Sequence, residues 1–501
     1  MKCNRKVNIV ENVTLYRIGN TLLVEPTTPS IVNCLRSELS FNERKVYLGY
    51  EAVKRQRMGL SKIENIPHTL FSFDQKGRLF TFFGFWKVVR NKLKNYGYNV
   101  SLKDNNPDKP EIYTPNWDIL SNFELRPNQP EFLQALAKNR CGRFNCPPGF
   151  GKSYMIAMIA LMYPKARIDV VSKNVAVLRD RIYPELLSLV SDVGIVGGTK
   201  KIQGKRVMCY TVGSMHYSDH QADILIGDEC HQLAADQAFN MLPRWTNSRN
   251  YGLSASNDKR FDNKDARVHG IFGPIIFDVS YKEAQSHNMV VPLIVNWREV
   301  NHGPKSDSYM METDKKRFCI WQNTARNKMI AEDARSYTDD TQVLVIVDTI
   351  EHAMNLKREL PEFTLVYMEN GIDSQKMAKF VAEGCCSANE PKMDFNRRQQ
   401  LTKDFEKGNL KKVIATGVWN VGVSFNHLAV LIRADGGGSA INDIQIPGRV
   451  SRIAEGKSHG IIHDYVDNFC PNLYRKSRNR SKSYKENSWK QNFPSAYSKG
   501  T

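Results

Sequence analysis

The feature that most constrains this chain is Cys146-Pro147-Pro148-Gly149-Phe150-Gly151-Lys152-Ser153, set between a short strand-like segment, Arg143-Phe144-Asn145, and a helical pattern over residues 154–162. Glycine lets the backbone curl until several N–H groups converge on phosphate oxygens. Lys152 adds a point charge, Ser153 offers a hydroxyl to Mg²⁺, and the helix N-terminus favours an anion. A Gly-Lys-Ser triplet alone is a common accident. Here a second part supports it: the apolar run Ile224-Leu225-Ile226-Gly227 ends in Asp228-Glu229. A carboxylate at the end of a buried strand can hold Mg²⁺, and the next one can take a proton from an attacking water. The pair predicts a phosphate site with Gly149, Gly151, Lys152 and Ser153 around the nucleotide, Ser153 and Asp228 on the metal, and Glu229 as general base. ATP and Mg²⁺ are the expected cofactors.

A loop of this kind works only between a strand and a helix, so the surrounding chain should alternate the two. Apolar runs at residues 168–171, 207–210 and 224–227 suit buried parallel strands, and a second set follows at 342–347, 412–416, 429–432 and 460–463. Two parallel α/β sheets are expected, divided near Pro292. Residues 1–120 read differently, with strand-like runs at 13–17, 21–24 and 79–83. A helical repeat then places Trp86, Val89, Leu93 and Tyr96 on one face, opposite Lys87, Arg90, Asn91 and Lys94. The expected order is an α+β accessory domain (1–120), two motor domains (121–291 and 292–470) and a basic, Ser-rich mobile tail (471–501). The stretch 373–391 reads as a surface insertion.

The chain of 501 residues carries 71 Lys plus Arg against 52 Asp plus Glu, a formal charge of +19. A polyanionic partner is the physical reason to carry such an excess, although charge alone does not separate DNA from RNA. Residues 1–120 hold 19 basic and 11 acidic residues. That fits either a nucleic-acid grip or a scaffold whose aromatics are core. Ten cysteines without a CxxC pair fit neither a zinc site nor a disulfide framework, and predict reduced thiols in a cytoplasm (the host's, if the chain is viral). No signal peptide, membrane-length apolar run or basic amphipathic helix is seen, so no membrane partner is expected.

With these parts in order, the sequence resembles superfamily 2 helicases from about Leu125 to Asp467. Leu125-Arg126-Pro127-Asn128-Gln129 looks like the Q-motif, which implies that Gln129 reads adenine. Asp228-Glu229-Cys230-His231 is similar to a DExH box, and Ser254-Ala255-Ser256 to motif III, implying coupling roles for His231, Ser254 and Ser256. Thr416-Gly417-Val418 with Gly422-Val423-Ser424 resembles motif V, Ser424 standing where the family has an acid, and Gly422 is assigned to the nucleotide. Gln445-Ile446-Pro447-Gly448-Arg449-Val450-Ser451-Arg452 resembles motif VI. There Gln445 implies coupling, Arg449 a γ-phosphate contact and Arg452 the arginine finger; Ile446 replaces the family's first arginine.

By the same resemblance, Lys173, Asn174, Thr199, Lys200, Thr211, Ser214 and Thr416 are candidates for phosphate contacts along nucleic acid. The phrases at 280–284 and 323–327, and a small basic domain before the motor, are similar to UvsW-type and XPB-like branch-migration helicases. The implied activity is ATP-driven remodelling of single-stranded, duplex or branched DNA by a monomer, with ATP bound in the cleft between two RecA-like domains. The alternatives are an RNA helicase, a binding module with a vestigial ATP site, and the DNA-translocating motor of a larger complex.

Overall fold

The computed structural model describes residues 11–47, 49–106, 109–255, 262–304, 310–368, 371–419, 425–438 and 440–494. It divides into two compact units, residues 1–146 with 152–278, and residues 147–151 with 279–501.

The first unit is organised by an eight-stranded sheet in the order Lys200–Ile202, Val193–Gly197, Val207–Thr211, Ile168–Ser172, Ile224–Asp228, Arg249–Ser254, Cys141–Asn145, Ile275–Asp278. Every pairing is parallel except the hairpin at one edge, between Val193–Gly197 and Lys200–Ile202. The strands Ile168–Ser172, Val207–Thr211 and Ile224–Asp228 are buried along their whole length, and so read in the sequence as unbroken apolar runs rather than alternations. Asp169 is the polar exception. Its Oδ2 accepts from Trp245 Nε1 at 2.7 Å and Ser218 Oγ at 2.9 Å, and burial pushes its pKa up to about 6.

Residues 12–104 of this unit form a second, five-stranded sheet in the order Phe71–Phe73, Leu79–Phe82, Thr21–Glu25, Asn12–Ile18, Asn99–Asp104. Helices Pro29–Arg36 and Trp86–Asn95 close its core through Ile31, Leu35, Val89 and Leu93. Thr28 caps the first of them by accepting from Ile31 N–H. One expected core position differs: Tyr96 stays 64% exposed, because the helix ends at Asn95 and Gly97, at φ +88°, turns the chain away.

The second unit holds a seven-stranded, all-parallel sheet in the order Thr364–Val366, Lys412–Ala415, Val343–Ile346, Val430–Arg433, Gly460–Asp467, Leu293–Val300, Lys490–Asn492. Its last strand overturns the expectation of a mobile tail. Residues 471–486 are a 16-residue helix, Pro471–Glu486, and Lys490–Asn492 joins the sheet beside Leu293–Val300. The helix turns Leu473, Ser477, Arg480 and Tyr484 inward at helical spacing, but only two of the four are hydrophobic, so composition reads as solvated.

Burial of Arg480 is possible because both its nitrogens meet Asp464, at 2.8 and 2.9 Å, and it donates further to the carbonyls of Tyr465 and Gly437. Tyr484 Oη donates to Asp464 at 2.7 Å. The segment 373–391 is likewise more than a surface insertion. It contains helix Ser374–Ala382, and its Cys385 lies fully buried in the core of the unit. The nine described cysteines are all free.

Arg480→Ala would leave Asp464 charged and unpaired in the core. A loss of about 3–5 kcal/mol is expected in denaturant unfolding of the whole chain, with Lys482→Ala on the same helix nearly neutral.

Candidate active site

The phosphate loop leaves the sheet where its neighbour ends. Strand Cys141–Asn145 pairs in parallel with Arg249–Ser254, and the pairing continues one residue further, Cys146 N–H donating to the Ser254 carbonyl at 2.8 Å. Cys146, which stands where the general pattern has glycine, is fully buried, and burial drives its thiol pKa far up, so it is a packing residue. Gly149 and Gly151 both sit at φ +90°, a conformation that a side chain resists. The chain then enters helix Lys152–Met162, apolar on all faces and buried from Met155 onward, with Lys152 and Ser153 in its first turn.

Opposite this turn, Ile224–Asp228 brings in the carboxylates. Ser172, at the end of the adjacent strand, donates its hydroxyl to Asp228 Oδ2 at 3.2 Å. Glu229 follows in the left-handed region at φ +44°, costing on the order of 1 kcal/mol, and this turn directs its side chain to Lys152. Lys152 Nζ lies 2.9 Å from Glu229 Oε1. Beyond it, Glu229 Oε2 lies 3.5 Å from both Ser254 Oγ and His231 Nδ1, which are 2.6 Å from each other. His231 and Ser254 are buried. Four residues expected to act in hydrolysis and coupling, Lys152, Glu229, His231 and Ser254, therefore form one continuous chain of contacts.

Electrostatics separates the two acids. Burial raises the Asp228 pKa to about 7, helped by the neighbouring Glu229 charge. The Glu229 carboxyl is pushed up by burial too, but Lys152 outweighs that and holds it below the usual range. Burial also works against the Lys152 ammonium, and the two carboxylates overcome it. The donors and acceptors present fit a nucleotide with its metal: an ammonium and a hydroxyl on one helix turn, two glycines at positive φ, and a carboxylate oriented by Ser172.

Other expected residues lie as follows. Gln129 is buried, its Oε1 accepting from Arg126 N–H at 2.9 Å, with Asn128 at φ +68° between them. In the second unit, Arg449 is buried in the turn Pro447–Arg449, Arg452 is half-buried, and Gln445 ends helix Ala440–Gln445. That helix is tied down by Asp443, which pairs with Arg433 at 2.9 Å; Arg433 also meets Asp435 at 2.8 Å and Tyr484 at 3.1 Å. Gly422 and Ser256 lie outside the described residues.

The nucleic-acid candidates divide. Lys173, Thr199 and Lys200 are exposed at strand ends and turns. Asn174 accepts from the N–H groups of Ala176 and Val177 as a helix cap. Thr211 and Ser214 are buried in a capping box, Ser214 also donating to the Val196 carbonyl. Thr416 is buried as well. Ser172, Arg433 and Asp443 went unsingled by sequence reasoning; a hydroxyl at the end of the strand flanking Asp228 was the one available signal.

These parts define a P-loop ATPase built on parallel α/β sheets. Residues 326–454 match the helicase conserved C-terminal domain. Over 433 residues the chain is 25% identical to "Putative helicase 22" of Sulfolobus islandicus filamentous virus, covering 79% of this chain and 72% of that protein. Among solved structures, a fragment described as "a putative HsdR subunit of a type I restriction enzyme" from Vibrio vulnificus is similar over 88% of this chain and 81% of its own, with a TM-score of 0.55 at 15% identity. Dbp5 of S. cerevisiae, bound to RNA and ADP BeF3, is similar over 77% and 94%, with a TM-score of 0.52 at 14%. T4 UvsW aligns over 96% and 99%, with a TM-score of 0.41 at 17%. The chain is a superfamily 2 helicase, an ATP-dependent enzyme. Among the described residues no helix is long and apolar enough to cross a membrane.

Glu229→Gln should lower the turnover number for ATP by about 10²–10⁴-fold, with binding of a fluorescent ATP analogue retained. Steady-state phosphate release and a binding titration check the two halves separately.

Proposed function

We propose that the chain converts ATP hydrolysis into movement on DNA, and that its substrate is duplex or branched DNA remodelled at a fork or junction. The observation that carries this reading is the linked set Lys152–Glu229–Ser254–His231. It joins the phosphate-side lysine and the general base to the end of strand Arg249–Ser254, so that a change at the base is felt by the backbone that leads away from it. ATP supplies the phosphoryl group, and Mg²⁺ neutralises charge on it. Lys152 exchanges Glu229 for phosphate oxygens, which frees Glu229 to orient and deprotonate water. Asp228 and Ser153 hold the metal, Gln129 the adenine, and Gly422 lies in the nucleotide-binding motif. Arg449 and Arg452 bring positive charge to the γ-phosphate, while His231, Ser254, Ser256 and Gln445 relay the change.

The charge of +19 supports a polyanionic track, and the DExH form of the box with the XPB-like phrases supports DNA. Movement requires grip on phosphates without reading sequence. Lys173, Thr199 and Lys200 are placed for side-chain contact. Asn174, Thr211, Ser214 and Thr416 contribute through the loops they shape. RNA is the second reading, because the fold likeness to the RNA-bound Dbp5 is about as close as that to the restriction-enzyme fragment. An accessory role for residues 1–120, a monomeric state and action in the cytoplasm belong to the same proposal.

ATP hydrolysis with single-stranded DNA, duplex, four-way junction and RNA measured side by side tests it. Strongest stimulation by the junction or a fork is expected, and Arg452→Ala should reduce stimulated turnover by about 10³-fold. Stimulation by RNA alone would overturn the DNA assignment.

A further inference from the structure

Residues 40–69 interrupt the accessory sheet with an arm. Strands Ser40–Val46 and Ile63–Thr69 pair antiparallel from Ser40 with Thr69 to Val46 with Ile63, and helix Gly49–Arg57 sits at the far end. The arm has almost no core. Neither strand has a buried residue, and Ala52 is the one buried residue of the helix. A bare hairpin is marginal in water, so something else must hold it. Tyr47 does part of this. Its hydroxyl donates to Glu64 at 2.6 Å, the Arg55 guanidinium lies 4.1 Å from its ring, and Arg55 pairs with Glu64 at 3.2 Å. At the root, Arg44 N–H donates to the Asp262 carbonyl, Asn263 Nδ2 to the Asn42 carbonyl, and Lys264 pairs with Glu43 at 2.9 Å. The arm is thus fixed to the body of the first unit, on the segment that follows strand Arg249–Ser254.

Its surface is unusual in two independent ways. Between residues 44 and 62 there are six basic residues, Arg44, Lys45, Lys54, Arg55, Arg57 and Lys62, against one acid, Glu51. Among these charges three large apolar side chains stand open to water: Tyr50 at 75% exposure, Met58 at 65% and Leu60 at 46%. Gly59 at φ +71° stops the helix, with Leu60 N–H returning to the Arg55 carbonyl, so Met58 and Leu60 are held out at a rigid turn. Exposed apolar residues in a rigid, cationic, core-free projection serve no folding purpose.

We infer that this arm is a nucleic-acid-engaging element, with Lys54, Arg57 and Lys62 on the phosphates and Tyr50, Met58 and Leu60 against unpaired or splayed bases at a fork. Phosphate charge matches the six cations. A base face or an opened base step matches an aromatic ring beside flexible apolar side chains, a combination that stacks and wedges without reading sequence. Three apolar residues offer too little area to hold a lipid surface without that charge. The inference rests on the proposed nucleic-acid motor and names the element that meets the fork.

The test uses the full chain, binding labelled forked DNA and blunt duplex over a salt series. Lys54→Glu/Arg57→Glu/Lys62→Glu is expected to weaken both at least tenfold and to flatten the slope of log K against log salt by about 2–3, near 0.9 for each phosphate no longer neutralised. Tyr50→Ser/Met58→Ser/Leu60→Ser should weaken the fork about fivefold or more with the slope unchanged. Unaltered melting temperatures confirm that both variants fold. Wild-type affinity and slope in both would overturn the arm while leaving the motor reading intact. An unmodified chain that neither binds nor is stimulated by any nucleic acid would overturn the motor reading and the arm with it. Loss of binding to phosphatidylserine vesicles, with DNA binding unchanged, would make the arm a membrane element and overturn the inference.

Discussion

Everything in the first unit converges on the 2.9 Å ion pair between Lys152 and Glu229. A carboxylate at the end of a buried strand is costly unless a cation meets it, and a lysine on an apolar helix is costly for the same reason. Each is the other's solution, and geometry leaves few ways to bring them together. The helix must begin directly after strand Cys141–Asn145, strand Ile224–Asp228 must lie near it in the same sheet, and all ends must point one way. Only a parallel sheet does this. The intervening Arg249–Ser254 then delivers Ser254 beside both Glu229 and His231 as a consequence of register.

The second unit solves a different problem with the same chemistry. Its candidate residues lie on a short helix and a turn, which are weak elements in isolation. They are held by a buried network in which Arg433 and Arg480 meet Asp435, Asp443 and Asp464, with Tyr484 between them. Two of its members come from helix Pro471–Glu486, so the last part of the described chain braces the segment that ends in Gln445. Buried ion pairs are weak stabilisers relative to apolar packing, but they fix one arrangement against others. That property suits a segment whose arginines have to be aimed.

The sequence was legible where function demands a fixed order of backbone and side chain. The loop at 146–153, the strand into Asp228-Glu229 and both sets of parallel strands stood out because burial on two faces leaves unbroken apolar runs. Helix Pro471–Glu486 was illegible because its inward row is Leu, Ser, Arg and Tyr, and a pattern based on hydrophobicity counts two of those as outward. Cys385 was hidden similarly, its burial depending on helices distant in sequence. Tyr96 failed at a boundary, one residue past the end of its helix.

Side-chain roles at loops were the least legible, for a reason that bears on how such a protein grips its track. Thr, Ser and Asn after a strand suit phosphate contact and suit helix capping equally, because both tasks need a short side chain with an oxygen. In this chain Asn174, Thr211 and Ser214 are engaged in caps. What such caps release is backbone N–H and the adjacent exposed cations, Lys173 and Lys200 among them. Grip built this way is independent of base identity and tolerant of sequence. The arm at 40–69 offers the complementary surface, apolar groups among fixed cations, where a strand has to be turned aside rather than merely held.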